Sequence, residues 1–452
     1  MRKYVLSAVI ATFVIGIAGC AGKTPVSEIE ETEITESEIA EPEDMESEIP
    51  ELKVPAQEID PVTVERLQGE IDKNLDENGD YDEEAMREGY LEYSMRLFSE
   101  SAEAGTNSMV SPVSVMMALD MAAAGANGET QSQITELFCA GAEQPQIEHF
   151  CRDLLERYES SQDVELHLAN SIWIRDTAAE RIKEDYLVRT DYIFDAEAVV
   201  APFDETTVDA VNGWCDEKTD GMIERLLDEI PPNIDMILFN AAVLDAPWAK
   251  PYEDYQVTDE TFTNAGGVAE AANMLNGTER IYFETEDAAG FMKYYEGYKY
   301  AFLAILPDER MTADEYVQSL TGEKYMEFWD SRTGGYEVDT KMPEFTYEYE
   351  LLLNDVLADM GMTQAFDDHA ADFSGITDDN NLYIERVLHK SFIEVGQNGT
   401  RAAAVTAVAM DTRGVAEPSE RKEVCLDRPF VYAIVEADTG MPLFIGTVQS
   451  IQ

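Results

Sequence analysis

The stretch Gly396–Arg413 reads GQNGTRAAAVTAVAMDTR. A polar turn with two glycines, Gly396 and Gly399, leads into small and β-branched residues and ends at a lone arginine. Nothing in it is catalytic in type, and it is too rich in Thr, Val and Ala for an ordinary surface loop. It reads as a strand that can enter a sheet, and such a strand alternates its faces with period two. Counting from Thr400, one face takes Thr400, Ala402, Ala404, Thr406, Val408 and Met410. The other takes Arg401, Ala403, Val405, Ala407, Ala409 and Asp411. The first face is small, apolar or hydroxyl-bearing throughout, and both charges fall on the second. A slip of one residue would bury Arg401 and Asp411, so the pattern admits one orientation. From Thr400 to Arg413 the strand would span roughly 45 Å at about 3.3 Å per residue. The competing reading is an Ala-rich surface loop or short helix.

The rest of the chain can supply a core for such a strand. It has 452 residues, of which 45% are hydrophobic, enough for one large domain or two average ones. A formal net charge of −62 excludes the basic footprint of a nucleic-acid binder. It suits a soluble protein with an acidic surface. Cys139, Cys151, Cys215 and Cys425 form no CxxC pair and no zinc spacing, so no metal site is expected. A Cys139–Cys151 disulfide is conceivable in an exported protein, but free buried thiols are the reading preferred.

The N-terminus has the form of an export signal. Arg2 and Lys3 precede an apolar stretch from Tyr4 to Ile17, too short for a comfortable membrane span. Its ending, Ile17-Ala18-Gly19-Cys20, resembles the lipobox of bacterial lipoproteins. That resemblance implies cleavage before Cys20, a lipid on its thiol, and anchoring at the outer face of the bacterial cell membrane, with an extracellular protein as the alternative. Residues 21–84 are rich in Glu, Ser, Thr, Ile and Pro and read as a disordered acidic tether. Within it, Asn74 to Asp82 partly fits a calcium loop. Asn74 stands where Asp is usual and Ala85 where a bidentate Glu belongs, so an acidic linker is the better reading.

Folded sequence is expected over 85–452. Tyr90, Leu91, Leu97 and Phe98 share a helical face. Ser111-Pro112 reads as a helix cap followed by proline in the first turn. Thr130 and Gln133 read as a capping box. Val164 to Ile174, the apolar run Met236–Leu244, and Tyr300–Leu306 read as strands. Phe430–Val435 and Leu443–Val448 flank a turn at Asp438-Thr439-Gly440 and form a hairpin. Helices concentrate early and strands late, which indicates an α+β domain.

Several segments, in this order, resemble the serpin family. Asn107 to Ser114 matches its NxxxSPxS segment, and Gly125 to Thr130 its GAxGxT. Asn212-Gly213-Trp214 with Lys218 to Ile223 follows, then Asn240 to Trp248, Leu306-Pro307 and Met342-Pro343-Glu344-Phe345. Asp372 to Gly375, His389-Lys390, Gly399-Thr400 with its alanines, Arg428-Pro429-Phe430 and Leu443 to Gly446 complete the series. The resemblance implies an α+β serpin fold with three β-sheets (A, B and C), about nine helices and an exposed reactive loop. It further implies a monomeric suicide inhibitor with no cofactor and no catalytic residues of its own. The target protease cleaves the loop, forms an acyl-enzyme and is carried away as the loop inserts into the main sheet.

On family loop length the reactive bond is Arg413–Gly414, which suits trypsin-like serine proteases or Arg-specific cysteine proteases. The segment from Gly414 to Pro429 is a few residues long for the family. Cleavage near Ala409 or Met410, with an elastase-like target, is therefore an alternative, as is a non-inhibitory binding protein. Gly399, Thr400, Arg401, Ala402, Ala403 and Ala404 match the hinge. Ser111, Ser114, Asn240 and His389 match the polar "shutter" beneath the main sheet, and Trp248 the core near the insertion point. No GxSxG elbow surrounds either serine, so the cluster reads as structural. The family's acid–lysine pair near the hinge is missing, because Gln397 and Glu344 stand at those positions. Glu344 is expected to contact Arg401 or a neighbouring base instead.

Overall fold

The computed structural model describes residues 9–19, 59–159, 165–219, 221, 223, 225–379, 382–400 and 420–451. Ten α-helices are found among them. They are α1 (Pro61–Asn78), α2 (Glu83–Ser101), α3 (Pro112–Ala123), α4 (Gly128–Phe138), α5 (Gln144–Glu159), α6 (Glu184–Phe194) and α7 (Glu205–Lys218). After a long run of strands come α8 (Ala313–Gln318), α9 (Gly322–Asp330) and α10 (Asn354–Asp359). The strands are β1 (Val9–Gly19), β2 (Ser108–Val110), β3 (Glu165–Arg175), β4 (Ala196–Ala201), β5 (Ile234–Pro247), β6 (Val257–Thr263), β7 (Ala269–Glu284) and β8 (Ala288–Tyr294). They continue with β9 (Tyr300–Pro307), β10 (Thr333–Pro343), β11 (Phe345–Leu352), β12 (Leu382–Gly396), β13 (Gly399–Thr400), β14 (Arg421–Cys425), β15 (Phe430–Glu436) and β16 (Pro442–Val448).

These strands form two hydrogen-bonded sheets. The main sheet runs β11, β12, then β1 and β13 end to end, then β5, β3 and β4. The second, of nine strands, runs β14, β10, β7, β8, β9, β15, β16 and β2, with β6 on β7. The second sheet is continuous through β7 and β10, so the described strands form two hydrogen-bonded sheets where three were expected. The anticipated hairpin is β15–β16, with Gly440 in the left-handed region at its turn.

Helix α3 explains how the layers join. Ser111 caps it, accepting from the Ser114 N–H, and Pro112 follows in the first turn, where its missing N–H is no loss. Every residue from Pro112 to Ala123 is buried, because the helix packs against both β5 and β16. On the other face of the main sheet, α7 closes a smaller core around Trp173, Trp214 and Phe239.

Two expectations need correction. The acidic tether is not structureless throughout, because residues 61–78 form α1. Val64, Leu67, Ile71 and Leu75 make an apolar stripe that packs on α5 and α6, with Leu67 and Leu75 buried. The acidic average over 21–84 hides that stripe. In the partial calcium loop, the reading not preferred, two residues are engaged elsewhere: Asn74 accepts from Asn78 in the last turn of α1, and Asp82 caps α2 by accepting from the Ala85 N–H. The Thr130–Gln133 capping box is also absent. Asn127 starts α4 without a side-chain cap, Thr130 accepts from the Asp372 N–H, and Gln133 accepts from the N–H groups of Thr363 and Gln364. The four described cysteines are free thiols.

Candidate functional site

At the top of the main sheet, Gly396 and Gly399 face each other across a two-residue turn of Gln397 and Asn398. The chain leaves β12, reverses, and enters the sheet again as β13. Gly399 and Thr400 pair with Gly396 and Val395 on one side and with Pro247 and Ala246 on the other. Gly399 is required there. Its φ is +156°, and a Cβ would lie 2.3 Å from the Ala246 carbonyl oxygen. The first residue of the anticipated insertion strand, Thr400, is wholly buried. Its hydroxyl meets the buried hydroxyl of Tyr295 at 2.6 Å.

Trp248 holds this turn. Its indole Nε1 donates to the Gly396 carbonyl at 2.9 Å, and its backbone N–H donates to Asn398 at 2.9 Å. Its ring stacks on Tyr295 with centroids 4.6 Å apart. The Tyr252 N–H donates to Gln397 O, and Gln397 Nε2 donates back to Tyr252 O and to Asp254. Beneath these rings lies Lys293, almost fully buried, donating to Glu279 at 3.1 Å. Desolvation lowers its pKa, and the Glu279 carboxylate opposes that shift.

Glu344 sits beside the turn at the top of the main sheet. Its carboxylate accepts from the Gln397 N–H at 3.1 Å and from Asn273 Nδ2 at 2.9 Å. Its carboxylate therefore caps the turn. Arg401 lies outside the described residues, as do Ala402, Ala403, Ala404, the Arg413–Gly414 bond and Cys20.

Lower in the sheet, the polar cluster assembles from β5, β12 and α3. The Ser114 hydroxyl donates to Asn240 Oδ1, and the Ser111 N–H donates to His389 Nε2 at 3.2 Å. Ser111 Oγ is spent on the Leu443 carbonyl. Burial pulls the pKa of His389 down to about 3, so its imidazole is neutral at ordinary pH. The Ser111 and Ser114 hydroxyls are both directed to other acceptors, Leu443 O and Asn240 Oδ1, as suits a structural cluster. Sequence reasoning missed Asn170, which accepts from Asn240 Nδ2, and Ser391, which donates to Met109 O. It also missed Tyr295, Lys293 and Glu279.

The slot between β5 and β12 is occupied. Strand β1 runs antiparallel to both, with Phe13 opposite Asn240 on one side and His389 on the other. Val9 is opposite Leu244, and Ile10 lies between Val243 and Phe392. Continuing the ladder of Gly399 and Thr400 would bring Ala402 and Ala403 to those same partners. The slot therefore accepts a strand in the register that the loop itself requires.

Residues 88–451 match the sequence model of the serpin (serine protease inhibitor) family. The chain is a serpin. An uncharacterized serpin-like protein of Thermococcus kodakarensis is 31% identical over 363 residues, covering 79% of this chain and 84% of its own. The thermophilic serpin tengpin in its native state superposes with a TM-score of 0.74 at 35% identity, over 82% of this chain and 95% of its own. The latent state of tengpin gives 0.72 at 33% identity, over 82% and 99%. Membership places this serpin among protease inhibitors, proteins that act on proteases and catalyse no reaction of their own. Helix α1 precedes the matched segment.

Proposed function

We propose that this serpin is an irreversible suicide inhibitor of trypsin-like proteases, with Arg413–Gly414 as its reactive bond. The protease nucleophile attacks the Arg413 carbonyl, the amine of Gly414 leaves, and an acyl-enzyme remains on Arg413. Residues 401–413 then extend β13 down the slot between β5 and β12. Each new ladder hydrogen bond contributes about 1 kcal/mol net, so insertion proceeds strongly downhill from a kinetically trapped state. The observation that carries this reading is the start already made: Gly399 and Thr400 are paired on both sides of the slot, with Thr400 buried. The cationic Arg413 side chain fits an acidic primary pocket.

In the full-length chain, β1 and the loop claim the same slot. Processing before Cys20 removes residues 1–19, which leaves the slot to the loop and a lipid-bearing cysteine to hold the inhibitor at the membrane. Lipid labelling that is lost in Cys20→Ala checks the anchor. For the reactive bond, the test is N-terminal sequencing of the C-terminal peptide freed by trypsin. A start at Gly414, with inhibition of trypsin lost in Arg413→Ala, is expected. A start after Ala409 or Met410 would move the specificity to elastase-like proteases.

A further inference from the structure

We propose that the buried Lys293–Glu279 pair is the positioning device of loop insertion in this serpin. It would set how quickly the hinge propagates into the sheet after cleavage. The inference rests on the inhibitor reading above. Four facts carry it. Lys293 ends in a site where its side chain is only 5% exposed, and that of Glu279 is 16% exposed. Its Nζ sits 4.2 Å from the centroid of the Tyr252 ring and 5.3 Å from that of Trp248. It also donates to the backbone carbonyl of Lys250 at 3.1 Å, and so ties down the segment that follows Trp248. The two rings it supports are those whose backbone and indole groups grip Gly396, Gln397 and Asn398.

Burying an ammonium costs several kcal/mol unless it is paired. A methionine would fill the same space without that cost, so stability alone gives no reason for a lysine here. What the cation adds is direction. One carboxylate, one carbonyl and two ring faces fix its position, and they fix the rings in turn. Trp248 then meets Tyr295 face to face, and Tyr295 meets Thr400. The turn that starts insertion is thus preorganised, and the strand grows from a formed end rather than a mobile one. The family's acid–lysine pair near the hinge is absent from this chain. Lys293 and Glu279 supply a charged pair beneath the same turn, from β8 and β7 of the second sheet.

The test compares wild type with Lys293→Met, Lys293→Arg and Glu279→Gln against trypsin. Two quantities are read: the rate of first loop cleavage, and the moles of inhibitor consumed per mole of protease trapped. In Lys293→Met the consumption should rise at least threefold while first cleavage stays within twofold. Lys293→Arg, which keeps the cation, should recover most of the loss. Glu279→Gln should shift the same ratio in the same direction, and it carries the test alone if Lys293→Met does not fold. An unchanged ratio in the folded variants overturns the proposal while leaving the inhibitor reading intact. Failure of wild type to trap any protease overturns both.

Discussion

Thr400 and Tyr295 share a buried hydrogen bond between their hydroxyls, 2.6 Å long, at the point where the reactive loop begins. Thr400 therefore points into the core side of the main sheet, the side to which the sequence pattern assigns it. The polarity read from Gly396–Arg413 has a physical anchor in this one contact.

Thr400→Arg should convert the inhibitor into a substrate. An unpaired guanidinium at this wholly buried position costs several kcal/mol, so the formed end from which the strand grows is lost and deacylation wins. Arg401→Glu, on the face that the period-two sequence pattern turns away from the core, should leave the stoichiometry within about twofold. Titration of trypsin activity with each variant separates the two. Equal behaviour of both would contradict the assigned faces.

Glu344→Lys should destabilise the native state. The carboxylate accepts from the Gln397 N–H and from Asn273, and an ammonium cannot accept from either. Leaving these donors unmet costs on the order of 1–3 kcal/mol. Glu344→Gln keeps an acceptor and should lose less. Thermal unfolding of the two variants beside wild type checks the order.

Acid should weaken the shutter through His389. Its Nε2 accepts from the Ser111 N–H, so protonation there breaks the bond. Its pKa is about 3 in the folded protein and about 6.5 when unfolded. Between those values the unfolded chain binds more protons, so this stability is complete above about pH 6.5 and falls as pH drops toward 3. The full effect is on the order of 5 kcal/mol. Thermal midpoints at pH 7 and pH 4 should differ more for wild type than for His389→Asn. Equal differences would mean that His389 is not the titrating group.

Helix α1 should contribute to stability despite its acidic surroundings. Leu75→Ala removes a buried side chain and should cost about 2–4 kcal/mol in denaturant unfolding. No change would mean that α1 is undocked in solution.

Local signals made much of this fold legible. Ser111-Pro112 announces a cap because both groups act within one turn. The run at 236–244 announces a buried strand because it is apolar on both faces, and the β15–β16 hairpin carries its own turn. Thr130 and Gln133 misled because their real partners, Asp372, Thr363 and Gln364, are more than two hundred residues away. The contact of Glu344 with the Gln397 N–H carries no sequence signal, because no residue type advertises a backbone partner. Lys293 and Tyr295 sit at the end of an apolar strand, where a lysine reads as surface and a tyrosine as core. Only the stacked geometry around Trp248 reveals that they act together. The shutter was visible by resemblance, yet Asn170 and Ser391 carry no motif and appear only once β3 and β12 are in register with their neighbours.

The central claim is that cleavage drives Thr400 and the residues after it into the main sheet fast enough to trap the protease. Mixing the processed protein, residues 20–452, with trypsin and resolving the mixture on a denaturing gel tests it directly. The account predicts an SDS-stable complex whose mass is that of trypsin plus residues 20–413, with trypsin activity lost in proportion. Clean cleavage of the loop with trypsin fully active would contradict it.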